Sequence, residues 1–217
     1  MKTSLKLITG IFSLLLLFSG CSSNQIRLFN GNDLDNWMIY TGEEQVDPES
    51  MFWVEEGMIQ TSGKPNGYIR TKTTYSNFKL HVEWRWLEEP TNSGVLLHVR
   101  GRDMIWPNAI ECQLMHEHAG DLVLIGKGAG VTVGDSTYLV TSEENRYIII
   151  PRQQEVSEDT PGQWNSYDIT SSDGTIKVMV NGVLQNEGRD MTLTEGYILL
   201  QSEGSPMQFR NIYLEEL

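Results

Sequence analysis

Two short stretches of the chain carry ionisable and amide side chains at alternate positions, the spacing that lines them up on one face of a β-strand. In Ser93–Arg100, Leu96, His98 and Arg100 share one parity and Val95, Leu97 and Val99 the other; in Ala109–Met115, Glu111 and Gln113 lie opposite Ile110, Cys112 and Leu114. A carboxylate such as Glu111 among apolar neighbours is costly if it is buried unpaired, so a groove or an ion pair with an arginine must account for it. A histidine such as His98 is commonly bonded to a neighbouring strand, so it is weighed both as a site residue and as a structural one. Phe78–Leu87 offers a second polar face, with Lys79, His81, Glu83 and Arg85 opposite Phe78, Leu80, Val82, Trp84 and Trp86. That face looks either to bulk water or into a groove, which makes Glu83 and Arg85 the next candidates. His116, Glu117, His118 and Asp121 form H-E-H-x-x-D. Two histidines at i and i+2 on a strand share a face, so His116, His118 and Asp121 are a candidate divalent-cation set, although loops rich in His and acid are also often simply solvated. Trp106, beside Pro107 in a loop, is the best candidate for an exposed aromatic that stacks on a ligand ring. Cys112 sits in an apolar-alternating stretch and reads as a buried, inert thiol.

The elements that must position these residues are strands. Phe52–Gln60, Tyr68–Thr71, Asn77–Leu87, Ser93–Arg100, Ala109–Met115, Asn165–Ser171, Thr175–Val180, Gly196–Ser202 and Met207–Leu214 are rich in β-branched and aromatic residues and are separated by turn signals. No stretch of the domain sustains a helical apolar period for three turns. Nine or more strands in one domain imply two packed sheets. Asp173-Gly174 and Asn181-Gly182 supply the positive φ values of tight hairpins. The glycine-dense segment Gly120–Gly134 lacks the Lys-Ser/Thr ending of a phosphate loop and is read as irregular strand and loop.

The first twenty-one residues, MKTSLKLITGIFSLLLLFSGC, have Lys2 and Lys6, an apolar run from Leu7 to Phe18, and Ser19-Gly20-Cys21. This is a signal-peptide layout whose apolar run is too short to span a bilayer. Small residues before a Cys resemble a lipoprotein processing site, with Phe18 where Leu is usual, so Cys21 is the expected lipidated residue. Residues 1–21 are thus the signal segment and residues 22–217 one domain. The expected location is the bacterial cell envelope, lipid-anchored, on the periplasmic side of the outer membrane; the only membrane contact would be the anchor. The whole chain has 29 acids against 16 Lys and Arg, a formal net charge of −13, and removal of both signal lysines makes the domain more acidic still. That charge makes nucleic acid an unfitting partner and suits a neutral ligand better than a polyanion. With Cys21 at the anchor, only Cys112 is left in the domain, so no internal disulfide is expected.

LFNGNDLDNW (Leu28–Trp37), NSGVLLHVR (Asn92–Arg100), IECQ (Ile110–Gln113), GQWNSYDI (Gly162–Ile169), VNGV (Val180–Val183) and the ending GYILLQSEGSPMQFRNIYLEEL (Gly196–Leu217) occur in that order. Together they resemble the 3-keto-disaccharide hydrolase family, also described as a 3-keto-glucoside 1,2-lyase/3-keto-2-hydroxy-glucal hydratase domain. The resemblance covers essentially the whole chain after Cys21. It implies a concanavalin A-like jelly-roll β-sandwich of two antiparallel sheets, whose concave sheet forms a sugar-binding groove. His98, Arg100, Glu111 and Gln113 are then expected to converge in that groove. Laminarinase-type β-glucanases, which share the implied fold, carry E-x-D-x-x-E on one strand, because a retaining glycosidase sets two carboxyls about 5–5.5 Å apart. Here the stretch reads E-C-Q-L-M-H, without the second carboxylate on that strand.

The resemblance implies chemistry that one base can do. A 3-keto group acidifies the C2 hydrogen, so abstraction of that proton can expel the C1 substituent, and water then adds to the enone. Glu111 or a histidine could be the base, and Arg100, Lys127 or a bound cation could hold the enolate oxygen. Gln113, Glu83, Arg85 and Trp106 are the expected contacts to a glucoside or oxidised glucoside. The alternative from another class is a non-catalytic carbohydrate-binding lipoprotein on the same scaffold.

Overall fold

The computed structural model describes residues 25–217. The signal segment and Cys21 lie outside the described residues, and no helix among the described residues is long and apolar enough to cross a membrane. In chain order the elements are β1 (Gln25–Arg27), β2 (Trp37–Tyr40), α1 (Pro48–Met51), β3 (Phe52–Glu55), β4 (Met58–Thr61), β5 (Gly67–Thr71), β6 (Phe78–Trp86) and β7 (Gly94–Arg100). They continue as β8 (Asn108–Gln113), β9 (Leu122–Ile125), β10 (Gly130–Val133), β11 (Ser136–Leu139), β12 (Tyr147–Ile150), β13 (Asn165–Ser172), β14 (Thr175–Val180), β15 (Val183–Gly188), β16 (Tyr197–Ser202) and β17 (Met207–Glu216).

The strands form two large antiparallel sheets and one small hairpin. The first sheet runs β15-β14-β13-β6-β17-β4-β3, with β1 added beside β17; the second runs β12-β9-β8-β7-β16-β5-β2; β10 pairs with β11 alone. Strict alternation in β6 buries Phe78, Leu80, Val82, Trp84 and Trp86 against the inward residues of the second sheet, among them Val95, Leu97, Ile110, Cys112, Leu122, Leu124, Ile198 and Leu200. Burial of these residues on both inner faces is the main favourable term holding the sandwich together. Cys112 is a free thiol in that core, and its burial pushes its acidity far down.

The hairpins follow from turn chemistry. Asp173 and Gly174 both take positive φ between β13 and β14, as do Asn181 and Gly182 between β14 and β15. The segment Phe52–Gln60, read as one strand, is two, because Glu56 and Gly57 also adopt positive φ and fold β3 onto β4. Gly120–Gly134 proves more regular than expected and contains β9 and β10.

Strand parity fails at two bulges. In β7 the register with β8 shifts between Leu97 and Arg100, and with β16 between Tyr197 and Leu199. His98 sits at this break with φ 54°. The extra residue turns His98 inward and leaves Val99 on the outer face, opposite Tyr197. A second break lies in β17 between Arg210 and Tyr213, where Asn211 has φ 50°.

Candidate functional site

The outward face of the second sheet is concave, and its residues fall in rows across the strands. One row runs Ile149, Val123, Glu111, Leu96, Leu199, Arg70 and Met38, each paired with the next by ladder register. The neighbouring row brings Gln113 of β8 opposite Gly94 of β7 and Gln201 of β16 opposite Tyr68 of β5. Glu111 therefore stands on a floor that is apolar to either side in its own row and polar in the next.

A groove of about 570 Å³ opens over this floor, lined among others by Asn92, Trp106, Glu111, Gln113, Arg146, Tyr147, Gln201 and Glu203. The volume lies in the usual range for small-ligand sites. The Glu111 side chain finds room because Gly94 has none: a Cβ there would collide with Glu111 Oε1 and lie 2.8 Å from Gln201 Oε1. Glu111 is only 5% exposed and forms no ion pair or side-chain hydrogen bond with the described residues. Burial, reinforced by the Glu203 carboxylate, pushes its pKa up to about 8. The amide oxygens of Asn92, Gln113 and Gln201 are likewise buried without a donor. Such a set of unpaired polar atoms is expensive in a core and ordinary in a site that awaits a hydroxylated ligand. Behind the floor, the Gln113 carbonyl accepts a hydrogen bond from Tyr167 Oη, which in turn accepts from the Gly120 N–H, 2.7 Å away.

The walls supply aromatic surface and one cation. Trp106, 45% exposed, stands on the loop 101–107, and Tyr147, 65% exposed, on the edge strand β12. Both can stack on a sugar ring. Arg146 lines the groove; its Nη2 donates to the Trp106 carbonyl at 3.3 Å, and its Nε is buried without an acceptor. The same loop is tied down at Asp103, which accepts from Tyr68 Oη at 2.8 Å and pairs with Arg70 Nε at 3.0 Å. Tyr68 stacks on Tyr40, and the Arg70 guanidinium lies 4.1 Å over the Tyr197 ring. Under this loop Tyr68, Leu96 and Leu199 have no exposed surface, so this side of the face is roofed.

Of the residues singled out from sequence, the structure brings Glu111, Gln113 and Trp106 into this groove. The expectation for His98 is corrected. The bulge sends its ring between the sheets, where Nε2 bonds Ser171 Oγ at 2.8 Å and the ring lies 5.7 Å from Phe78. Burial there pulls its pKa down to about 4, so it is a neutral core histidine. Arg100 is also outside the groove, with Nε bonded to the Glu195 carbonyl at 2.7 Å. Glu83 and Arg85 lie on the outer face of the other sheet: Glu83 bonds Arg210 Nε at 2.6 Å and Asn211 Nδ2 at 2.7 Å, and Arg85 bonds Gln208 Oε1 at 2.6 Å. Trp164 is flanked there by the guanidiniums of Arg210 and Arg85, at 3.8 and 4.8 Å. Lys127 is exposed in the turn after β9 and does not line the groove.

The H-E-H-x-x-D candidates do not assemble into a cation site. His116 Nδ1 faces Glu158 Oε2 at 3.5 Å, His118 Nδ1 pairs with Asp121 Oδ2 at 3.0 Å, and Asp121 Oδ1 accepts the Arg152 N–H at 2.8 Å. Among the described residues no group of three or more His, Cys, Asp and Glu side chains converges to hold a metal ion. Glu158 and Asp121 are instead occupied in fixing the loop that leads into β9.

Asn92, Arg146, Tyr147, Gln201 and Glu203 belong to the site and were not read from the sequence. Gln201 and Glu203 were within reach, since they continue the parity of Leu199. Arg146 and Tyr147 stand where β12 pairs with β9, a strand without clear alternation.

Two packed antiparallel sheets with a groove on the outer face of one define a concanavalin A-like jelly-roll sandwich. The chain belongs to the 3-keto-alpha-glucoside-1,2-lyase-like domain family, whose model matches residues 24–215. Among solved structures, a protein of Parabacteroides distasonis ATCC 8503, provisionally named a glycosyl hydrolase, superposes with a TM-score of 0.63 at 22% identity, covering 89% of this chain and 94% of that one. The carbohydrate-binding module CBM66 from Bacillus subtilis follows the same fold with a TM-score of 0.59 at 10% identity, covering 83% and 96%. The β-glucanase of Bacillus licheniformis does so with a TM-score of 0.57 at 12% identity, covering 90% and 98%. No curated protein sequence matches the chain.

Proposed function

We propose that this protein cleaves 3-keto-glucosides by elimination and hydration, with Glu111 as the base that removes the C2 proton. The observation that carries this reading is the Glu111 carboxyl itself, held by the Gly94 gap in the floor of a sugar-sized groove and without an ion-pair partner among the described residues. A carboxylate whose proton affinity is raised toward pH 8 is a better match for a carbon acid than an ordinary one. As the C2–H bond breaks, its electrons pass to the C3 oxygen, and the C1–O bond then breaks to give the enone. Arg146, rather than Arg100 or Lys127, is the cation positioned to hold that enolate oxygen. Trp106 and Tyr147 would clasp the ring, and the Asn92, Gln113 and Gln201 amides would meet its hydroxyls.

The test compares a 3-keto-glucoside with its unoxidised parent, using the purified protein. Release of free sugar through an ultraviolet-absorbing enone from the keto substrate alone is the expected result. Cleavage of the parent glucoside would overturn the reading in favour of two-carboxylate hydrolysis. Quenching of tryptophan fluorescence by sugars with no turnover of either compound would overturn it in favour of a carbohydrate-binding protein.

Export and anchoring extend the same proposal. Cys21, preceded by the apolar run and Ser19-Gly20, would carry the lipid and hold the sandwich on the periplasmic side of the outer membrane. Incorporation of labelled fatty acid into the wild-type chain and its loss in Cys21→Ser is the expected outcome; equal labelling of both would refute it.

A further inference from the structure

We infer that Glu203 is the second catalytic group of this groove, acting on the oxygen at C1 while Glu111 acts on the hydrogen at C2. The inference rests on the reading of Glu111 given above and completes it, because elimination leaves an alkoxide that needs a proton and hydration needs a water that loses one.

The geometry begins with strand parity. Gln201 of β16 faces the groove, and Glu203 is the next residue of that parity, just past the strand end. Its backbone forms an antiparallel bridge to Asn92, which stands in the same relation to Gly94 at the start of β7. Two residues of extended chain advance about 6.6 Å, so the Glu203 carboxyl stands roughly one pleat beyond the Gln201 amide and the Glu111 carboxyl beside it. The turn that carries it is held on both sides: the Ser205 N–H donates to Thr91 Oγ1 at 2.7 Å and the Gly204 N–H to the Gly63 carbonyl at 2.7 Å. The Glu203 side chain has no ion-pair or hydrogen-bond partner among the described residues, although Arg146 lines the same groove. The two carboxyls are close enough for the charge of Glu203 to raise the proton affinity of Glu111.

With Glu203 protonated and Glu111 ionised at the start, the cycle closes on itself. In elimination Glu111 takes the proton from C2, the enolate expels the C1 substituent, and the departing oxygen takes the proton of Glu203. In hydration Glu203 takes a proton from water as the water oxygen bonds to C1, and Glu111 returns its proton to C2. Both carboxyls end as they began, one water is consumed, and the glycosidic bond is cleaved.

The experiment varies the leaving group. Glu203→Gln, Glu203→Asp and Glu111→Gln are each assayed with 3-keto-glucosides bearing an alkyl and a 4-nitrophenyl aglycone, and for exchange of the C2 hydrogen of 3-keto-glucose in heavy water. For Glu203→Gln the alkyl substrate should slow by about 10²–10⁴-fold, because its alkoxide needs the acid, while the 4-nitrophenyl substrate slows by less than about tenfold. Exchange at C2 should persist in that variant, and Glu203→Asp should recover part of the alkyl rate. An equal loss on both aglycones would overturn the assignment, as would loss of C2 exchange in Glu203→Gln. Glu111→Gln should lose both the exchange and the cleavage of either substrate; if it kept exchange, the reading of Glu111 would fall, whatever Glu203 did.

Discussion

Gly94 and Glu111 compete for one place: the side chain that Gly94 lacks would stand where Glu111 Oε1 lies, and within 2.8 Å of Gln201 Oε1. The carboxyl occupies the floor of the groove because the facing strand offers a hole there. Gly94→Ala should therefore push the Glu111 carboxyl aside. Displacement of a catalytic group by about 1 Å costs on the order of 10²-fold in rate, so kcat/KM on a 3-keto-glucoside should fall by about that factor while the far-ultraviolet dichroism stays that of an all-β protein. An unchanged kcat/KM would show that the gap has no bearing on the reaction.

The proton affinity of Glu111 sets two pH dependences. On the proposed reading Glu111 is a base that works when ionised, so kcat/KM for the 4-nitrophenyl substrate, whose leaving group needs no acid, should rise about tenfold per pH unit below a pKa of about 8 and level off above it. Stability should run the other way. The folded state keeps the proton from the ordinary carboxyl value of 4.5 up to about 8, while the unfolded chain has released it. Over that window this group alone lowers the unfolding free energy by about 1.4 kcal/mol per pH unit. Glu111→Gln should thus gain in Tm over the wild type at pH 8 and gain least at pH 5, as read by thermal melts at both values.

His98 carries the opposite sign. Its folded pKa is held down to about 4 by burial, so between that value and the ordinary 6.5 the unfolded chain binds a proton the native state refuses. Stability from this residue is present above 6.5 and drains away as pH falls toward 4. His98→Ala removes a buried ring together with its bond to Ser171, and should cost about 2–4 kcal/mol of stability. Turnover per folded molecule should remain that of the wild type, a result that a groove-facing histidine would not give.

Asp103 holds the loop that presents Trp106. Loss of that anchor in Asp103→Ala frees Tyr68 Oη and Arg70, and should raise KM by about tenfold with kcat little changed, the signature of weakened ground-state binding. Trp106→Ala should raise KM to a similar degree. The double variant should be no worse than either single one, because both remove the same wall, and a double-mutant cycle measures this directly.

The β6 alternation, the Asp173-Gly174 and Asn181-Gly182 turns and the side assigned to Glu111 and Gln113 were legible because each depends on local parity alone. His98 and Arg100 were misplaced for one physical reason. A bulge is a one-residue slip in pairing, and nothing in Gly94–Arg100 announces that His98 will take a positive φ. Glu83 and Arg85 were placed on the correct face of their own strand, but which sheet looks into the groove is decided by curvature and by the loop 101–107, neither of which is periodic. Glu203 escaped notice because a second carboxyl was sought along the strand of Glu111, while Glu203 stands just past the end of β16, which lies beyond β7, the immediate neighbour of β8.

The anchored loop 101–107 also decides how a longer glycan could approach. With Asp103 fastened to Tyr68 and Arg70, the concave sheet is a trough stopped at one end, and Tyr68, Leu96 and Leu199 lie sealed behind the stop. On the proposed reading of the site, a glycan running across the sheet would end at this stop. A chain terminus, or a molecule as short as a disaccharide, is the ligand that would bring a C1–O bond down to Glu111 on that reading, which would trim ends and leave middles uncut.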